Sequence, residues 1–295
     1  MYAGEYTIVE ELGRGAFGFV YKVDCPRFAH PMALKVSHQP VRAPDVAQRA
    51  LREVTIQSEI DSPHVVKIRD YGMRPDGHFY VLMDFVDGDQ LDSVHNFDEP
   101  MLAGRAVDIV HQVCQGLDEI HAKGIVHRDI KPENIFIERT SRRALLIDFG
   151  LARSWEEGTI HGTNATIGHK LVGTPHYAQP EQVDGRKLTP AADVYSLGVI
   201  LYELLSGHTP FVPDACWSEV RERWRDNPIR WISAHVHDRV VPLRKHLPNT
   251  VVMPHVIRAV MYALSKDPAK RPQRARDFAA MLDGAPPSRG RSTPA

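Results

Sequence analysis

Apolar residues follow two different patterns along the chain. Up to about residue 83, short runs of β-branched and aromatic residues predict strands, for example at residues 6–9, 20–23 and 79–83, and residues 45–60 predict one helix. Gly88 is expected to break the run that begins at residue 79. The next segment predicts a long helix that Gly124 ends, with one face formed by Ala106, Ile109, Val110, Val113, Leu117 and Ile120.

Three tryptophans, Trp217, Trp224 and Trp231, recur every seven residues, as they would near one face of a continuous helix. Pro228 is expected to break such a helix, because proline lacks the backbone donor that a helix interior needs. Core packing is therefore the favoured role of the three rings, and a stripe that docks a partner is the alternative.

Composition excludes several classes of protein. Of 295 residues, 25% are charged and 43% hydrophobic, as is ordinary for a globular chain, and the net charge of −1 does not favour nucleic acid or anionic membranes as partners. Cys25, Cys114 and Cys216 form no CxxC pair, so a disulfide framework or a zinc site is not expected. No apolar run reaches the roughly 20 residues of a membrane span, and the first residues predict a strand and not a signal peptide. We expect a soluble cytoplasmic protein.

A glycine-rich segment near the start, GxGxxGxV, has the chemistry of a phosphate-binding loop. Its residues are Leu12, Gly13, Arg14, Gly15, Ala16, Phe17, Gly18, Phe19 and Val20. Glycine lets backbone N–H groups approach a phosphate closely. Dinucleotide-binding folds carry a similar pattern, but there the loop opens a helix. Here strand patterns flank both sides, so the sequence predicts a hairpin.

The string His127-Arg128-Asp129-Ile130-Lys131-Pro132-Glu133-Asn134, with Asp148-Phe149-Gly150 beyond it, carries the most specific chemistry. Asp129 can take a proton from an attacking hydroxyl, and Asn134 and Asp148 offer the hard oxygen ligands that Mg²⁺ prefers. The string indicates phosphoryl transfer from a magnesium-bound nucleotide to a hydroxyl.

These motifs resemble the catalytic domain of eukaryotic-type (Hanks-type) serine/threonine protein kinases, most of all the compact bacterial members. Similar matches are Met32-Ala33-Leu34-Lys35-Val36, Gly173-Thr174-Pro175 with Gln179-Pro180-Glu181, Asp193-Val194-Tyr195-Ser196-Leu197-Gly198, and Lys266-Asp267-Pro268 with Arg271-Pro272. Gln179 stands where the family usually has Ala. The resemblance implies an α+β, two-lobed kinase fold: a small β-rich N-lobe with one main helix at residues 1–86 and a larger helical C-lobe at residues 87–283. Residues 284–295 are expected to be a disordered tail or a truncated linker.

The resemblance also implies roles in binding ATP. Lys35 would hold the α- and β-phosphates under the glycine loop, paired with Glu53; Glu59 is the competing acid, with a poorer spacing to Pro63. Met83 would be the gatekeeper behind the adenine, and the backbone from Asp84 to Val86 would bind the base. Val20 and Ala33 would cover the adenine from above and Phe136 from below.

Further roles concern transfer and support. Asp129 would be the catalytic base, Lys131 would contact the γ-phosphate, Asn134 and Asp148 would bind Mg²⁺, or Mn²⁺ in its place, and Thr174 would bridge Asp129 and Lys131. Lys131 and Thr174 are typical of the Ser/Thr class. Asp193 would steady the catalytic-loop backbone, and Arg271 would pair with buried Glu181.

The expected function is ATP-dependent phosphorylation of Ser and Thr hydroxyls on protein substrates. We also expect autophosphorylation at Thr163 or Thr166, in a transient dimer, with Arg128 and Arg153 pairing the new phosphate; the alternative is that Arg128 only anchors the catalytic loop. Two other functions stay open: a pseudokinase scaffold that binds nucleotide without catalysis, and a small-molecule phosphotransferase.

Overall fold

The computed structural model describes residues 6–15, 17–147, 175–183, 185–247 and 252–286. These residues form two compact units. The first holds the described residues up to Asp87 together with Ile147, and the second holds those from Gly88 to Leu146 and from Pro175 onwards.

The first unit is an antiparallel sheet with one helix. Its strands are ordered β1-β2-β3-β5-β4, and the elements in chain order are β1 (Thr7–Arg14), β2 (Gly18–Asp24), β3 (Met32–Ser37), α1 (Pro44–Ser58), β4 (Ile68–Met73) and β5 (Phe79–Asp84). Successive side chains of a strand point to opposite faces of the sheet. Accordingly Leu34 and Val36 join one buried cluster, and Phe79 and Val81 join another that includes Val54 of α1.

The second unit is mostly helical. Its small antiparallel sheet is ordered β6-β7-β8, with β6 (Gly88–Gln90), β7 (Ile135–Glu138) and β8 (Ala144–Leu146). The helices among the described residues are α2 (Leu91–Val94), α3 (Ala103–Ala122), α4 (Pro180–Val183), α5 (Pro190–Ser206), α6 (Trp217–Arg223), α7 (Pro228–His237), α8 (Leu243–His246), α9 (Pro254–Ala263) and α10 (Ala275–Leu282). Short 3₁₀ helices lie at Pro132–Asn134, Pro175–Tyr177 and Pro268–Lys270.

Helix α5 is the centre of the second unit, since every residue from Ala191 to Ser206 is buried. Helices α3, α9 and α10 pack around it. Gly198 allows the closest approach, because a Cβ at this position would lie 2.7 Å from the Cβ of Ala263 on α9. A helix buried on all sides shows no polar face, which explains why its sequence carries no amphipathic pattern.

The predicted class, an α+β fold with a β-rich first part and a larger helical part, is confirmed. The apolar face of α3 is buried as predicted, and Gly124 follows that helix with φ +74°. The expectation for Gly88 needs correction: strand β5 already ends at Asp84, and Gly88 begins β6. A Cβ there would lie 2.5 Å from the carbonyl oxygen of Ile137, so this glycine permits close pairing with β7.

The tryptophan pattern is interrupted as expected, although earlier than Pro228: α6 ends at Arg223 and α7 begins at Pro228. Trp224 and Trp231 pack edge to face in a buried cluster with ring centroids 4.7 Å apart, which confirms core packing for these two rings. Trp217 is only partly buried.

All three cysteines are free. Within the described ranges, no helix has both the length and the hydropathy needed to cross a bilayer.

Candidate active site

The glycine-rich segment is the turn of a β-hairpin. Strands β1 and β2 pair antiparallel, with Gly13 opposite Val20 and Arg14 opposite Phe19. The backbone N–H of Gly15 donates to the carbonyl of Gly18 at 2.9 Å, and Nε2 of His38 lies 2.8 Å from the carbonyl oxygen of Gly15. The predicted hairpin is confirmed, and the helix that a dinucleotide-binding loop would open is not present after Gly18.

The glycines of this hairpin serve different purposes. A Cβ on Gly18 would lie 1.7 Å from the carbonyl oxygen of Val36, so Gly18 is required by the pairing of β2 with β3. A Cβ on Gly13 or Gly15 would meet no described atom within 4 Å. Packing therefore does not explain these two glycines, whereas close approach of a ligand to their backbone would. Leu12 and Arg14 beside them are exposed, and Arg14 pairs with Glu11 at 2.8 Å.

Lys35 lies in the middle of β3, opposite Val20 of β2 and Val81 of β5. Its side chain is only 5% exposed, and its Nζ lies 5.0 Å from the ring centroid of Phe17. Phe17 is itself buried, edge to face with Phe79. A buried ammonium is unfavourable without compensation, and a cation–π contact supplies part of it. Lys35 is thus held in one place beside the glycine hairpin.

The two candidate acids for Lys35 have different positions in α1. Glu53 is partly buried, one residue before fully buried Val54. Glu59 is exposed and follows the last helical residue as the C-cap. Burial beside the core favours Glu53, and its pairing with Lys35 stays a prediction.

The end of β5 carries the residues expected to contact the adenine. Met83 lies opposite Ala33 and packs against the cluster that contains Val54 and Phe79. The Asp84 carboxylate is held by the guanidinium of Arg69, with distances of 2.7 and 2.8 Å. The N–H of Asp84 donates to the carbonyl of Lys67 at 3.0 Å. Because this N–H is already bonded, the carbonyl oxygen of Asp84 is the backbone atom expected to bind the base.

In the second unit, Asp129, Lys131 and Asn134 lie together on the loop between α3 and β7. Nζ of Lys131 is 3.1 Å from Oδ2 of Asp129. The side-chain N–H groups of Asn134 donate to the same oxygen at 2.9 Å and to the backbone carbonyl of Asp129 at 2.7 Å. Ile130 is buried and anchors the loop between its two charged neighbours. An acid, a cation and an amide thus converge within one turn.

Asp193, at the start of α5, fixes the backbone of this loop. Its carboxylate is fully buried and accepts hydrogen bonds from the backbone N–H of His127 at 2.8 Å and of Arg128 at 2.8 Å. Nε2 of His121 lies 2.8 Å from the same group. Burial opposes ionisation, but the His121 hydrogen bond and the adjacent backbone donors outweigh it and lower the pKa of Asp193.

The backbone held by Asp193 is strained. Arg128 has φ +66°, in the left-handed region that L-residues avoid at a cost of about 1–2 kcal/mol. The charge-assisted hydrogen bonds to Asp193 can offset a cost of this size. The strained residue directly precedes Asp129, so the same contacts set the position of that carboxylate.

Glu181 and Arg271 form a buried ion pair with two parallel hydrogen bonds, of 2.7 and 2.8 Å. Arg271 is 4% exposed and also donates to three backbone carbonyls, those of Ala191, Ser265 and Lys266. The pair joins α4 to the residue that follows the 3₁₀ helix Pro268–Lys270.

One network was not anticipated from the sequence. Glu203 of α5 is fully buried, and its Oε2 accepts from the hydroxyl of Tyr177 at 2.9 Å and from the indole N–H of Trp217 at 3.1 Å. Its Oε1 lies 2.5 Å from Nε2 of His176. Burial raises the pKa of Tyr177, and the charge of Glu203 raises it further. The sequence feature that could have indicated this network is a carboxylate within an apolar run, Leu201-Tyr202-Glu203-Leu204-Leu205.

Phe136 is partly buried on β7, opposite Leu145. Several predicted site residues lie outside the described residues: Ala16, Asp148, Arg153, Thr163, Thr166 and Thr174.

Among the residues that are described, no cluster of three or more His, Cys, Asp and Glu side chains could hold a metal ion. Asn134 nevertheless fits the role of an oxygen ligand. Its amide nitrogen is engaged by Asp129, so the orientation of the buried side chain leaves Oδ1 as the atom to face a cation.

Comparison with known proteins agrees with this geometry. A family model described as "Protein kinase domain" matches residues 6–281. Serine/threonine-protein kinase pkn2 of Myxococcus xanthus is 36% identical over 96% of this chain, which covers 32% of that relative. Serine/threonine-protein kinase PknD of Mycobacterium tuberculosis is 34% identical over 94% of the chain, which covers 39% of that relative. The chain thus spans about a third of the length of these two relatives.

Among solved structures, the PknI kinase domain of Mycobacterium tuberculosis is similar, with a TM-score of 0.69 and 26% identity over 96% of each chain.

Proposed function

The chain belongs to the protein kinase domain family, and we propose that it transfers the γ-phosphoryl group of ATP to serine and threonine hydroxyls of proteins. One observation carries the proposal: Asp129, Lys131 and Asn134 converge on a loop whose backbone is held by buried Asp193. Phosphoryl transfer leaves little covalent chemistry to the protein, so an enzyme of this kind works by positioning and electrostatics.

Asp129 is the group that receives the substrate hydroxyl. Its Oδ2 accepts from Asn134 and lies 3.1 Å from Nζ of Lys131, so the carboxylate is fixed in one orientation. In that orientation it aligns the hydroxyl for attack and takes up its proton as the bond to phosphorus forms. Lys131 then neutralises the charge that develops on the transferred group.

The family uses ATP and a divalent metal ion, and we assign the metal as Mg²⁺ with Asn134 Oδ1 and Asp148 as ligands. Asn134 and Asp148 would hold the ion, which would supply positive charge to neutralise the phosphates. In the first unit, Lys35 orients the α- and β-phosphates, and the open backbone at Gly13 and Gly15 approaches them closely. Glu53 steadies Lys35, and Met83, Asp84, Val86, Val20 and Ala33 contact the adenine.

Lys131 and Thr174 support serine and threonine as acceptors, since both residues are typical of that class. The relatives named as serine/threonine-protein kinases support the same assignment. The three free cysteines are in keeping with the reducing cytoplasm, where we place the protein.

The test is a phosphotransfer assay with Mg²⁺ and labelled ATP, offered a generic protein substrate and, in parallel, a panel of small-molecule alcohols. The wild type is expected to label Ser and Thr of the protein, with turnover on the order of 1–100 s⁻¹ after activation. Asp129→Asn should be nearly inactive but still bind ATP, because the amide cannot accept the proton. Labelling of small molecules alone would indicate a small-molecule phosphotransferase. ATP binding without transfer to any acceptor would indicate a pseudokinase.

A further inference from the structure

A cavity lies in the helical unit, lined in part by the turn that begins at Pro175. The cavity measures about 360 Å³, and its lining includes Pro175, His176, Trp217, Arg221, Arg225 and Trp231. Pro175 directly follows Thr174, which is expected to bridge Asp129 and Lys131.

Arg221 of α6 forms no ion pair with the described residues. Its guanidinium lies 4.5 Å from the ring centroid of Trp217, and no described side chain or backbone group forms a hydrogen bond or ion pair with it. Trp217 is fixed in turn, because its indole N–H donates to Glu203 and its ring stacks on Phe97 at 4.9 Å. The guanidinium is thus held in place while its N–H donors stay available.

His176 forms a fixed wall of the cavity. The ring is 2% exposed and lies between Tyr177 and Trp231, with ring centroids 4.3 and 4.0 Å away. Nε2 is bound to Glu203, whereas Nδ1 has no hydrogen-bond partner among the described residues. A carboxylate only accepts hydrogen bonds and Nδ1 of a ring that donates through Nε2 carries a lone pair, so His176 lines the cavity as a fixed wall and does not bind the acid.

The acids around the cavity are already engaged. Glu222 pairs with Arg225, and both oxygens of Glu203 accept hydrogen bonds. Glu133 is close enough to Arg221 for their charges to interact, but the two side chains form no ion pair. Glu133 belongs to the catalytic loop, four residues after Asp129, so the influence of Arg221 extends towards the site of transfer.

We propose that this cavity binds an acidic side chain, Asp or Glu, of the protein substrate near its phosphoacceptor, with Arg221 as the contact. The inference rests on the proposed kinase function and adds a substrate preference to it. Arg–carboxylate contacts are often bidentate, which gives them geometric selectivity as well as energy.

The experiment compares peptides that share one Ser/Thr acceptor and carry Asp, Ala or Lys at a single flanking position, scanned from four residues before the acceptor to four after it. At one or two positions the wild type should favour Asp over Ala by about tenfold in kcat/KM, as one charge-assisted hydrogen bond predicts. Arg221→Gln should lose that ratio, and Arg221→Glu should favour Lys at the same position. Arg223→Gln is the matched control, because Arg223 is exposed on the same helix and does not line the cavity; it should keep the wild-type ratio.

Each outcome has one meaning. Peptide phosphorylation without an acidic preference at any position, or a preference that survives in Arg221→Glu, overturns this inference and leaves the kinase assignment intact. Absence of phosphorylation of every peptide and protein overturns the proposed function, and this inference with it.

Discussion

Oδ1 of Asp193 lies 2.8 Å from the backbone nitrogen of Arg128, a residue 65 positions earlier in the chain. Arg128 has φ +66° and directly precedes Asp129. The position of the proposed catalytic carboxylate therefore depends on a fully buried residue at the start of α5.

Asp193→Asn is expected to lower both stability and turnover. The amide offers one acceptor where the carboxylate has two, and its NH₂ group would face a backbone donor. We expect a loss of about 2–4 kcal/mol in the free energy of unfolding. Urea titration measures this loss. In kinetic assays kcat should fall by a larger factor than KM rises. Asp214→Asn, at a side chain that is 85% exposed, is the control. Wild-type stability of Asp193→Asn would contradict the role given to these hydrogen bonds.

Lys35→Met should retain the fold and lose activity. The methionine side chain can fill the same buried space against Phe17 but cannot bind phosphate. We expect kcat/KM for ATP to fall at least about a hundredfold, with an unchanged circular dichroism spectrum. Lys22→Met on the neighbouring strand β2 should stay within a few-fold of the wild type. Equal rates in the two variants would remove Lys35 from the site.

Arg271→Leu should destabilise the helical unit by about 3–5 kcal/mol, because it leaves the Glu181 carboxylate buried without its cation. Thermal unfolding provides the measurement. The double variant Glu181→Leu with Arg271→Leu should be no less stable than the single one, since it removes the stranded charge. A double variant that loses the sum of both single effects would show that the two residues act independently.

Lys266 predicts a pH dependence of stability. Burial lowers its pKa from 10.5 to about 8, while its Nζ donates to the carbonyls of Ala234 and His235. Between these two pKa values the unfolded chain binds more protons than the folded chain, so the contribution of Lys266 becomes more favourable as pH rises through that window. The stability of the wild type relative to Lys266→Met should therefore increase from pH 8 to pH 10. Lys270→Met, at a side chain that is 74% exposed, should show no such shift.

Autophosphorylation at Thr163 or Thr166 is predicted from the sequence alone. A phosphate with a charge of roughly −1.5 to −2 could pair with Arg128 and Arg153. Mass spectrometry after incubation with Mg²⁺ and ATP should locate the phosphate, and the double alanine variant should be slower. Full activity of that variant without phosphate in the segment would show that the loop is held active by its own packing.

Sequence motifs predicted those parts of the structure that depend on residues close together in the chain. The glycine hairpin, the strand of Lys35 and the stop at Gly124 follow from turn chemistry and side-chain periodicity over a few residues. The three-residue cluster around Asp129 was likewise contained in one short string.

Contacts between distant segments were not predictable in the same way. His121 meets Asp193 across 72 positions, and Glu203 meets His176 across 27. Nothing in the period of α3 marks His121, and α5 is buried on every side, so its pattern does not show where Glu203 points. The identity of these partners follows from topology, which brings the start and the end of α5 against different loops.

The arrangement of the aromatic rings has a practical result for optical experiments. Three of the four tryptophans, Trp217, Trp224 and Trp231, lie around one corner of the helical unit, and Trp231 stacks on an imidazole 4.0 Å away. The described part of the β-rich unit contains no tryptophan. Intrinsic fluorescence is therefore mainly a reporter of that corner. A melting curve measured by tryptophan fluorescence therefore reports the unfolding of the helical unit. Earlier unfolding of the sheet that carries Lys35 would be detected only by a second method, such as far-ultraviolet circular dichroism.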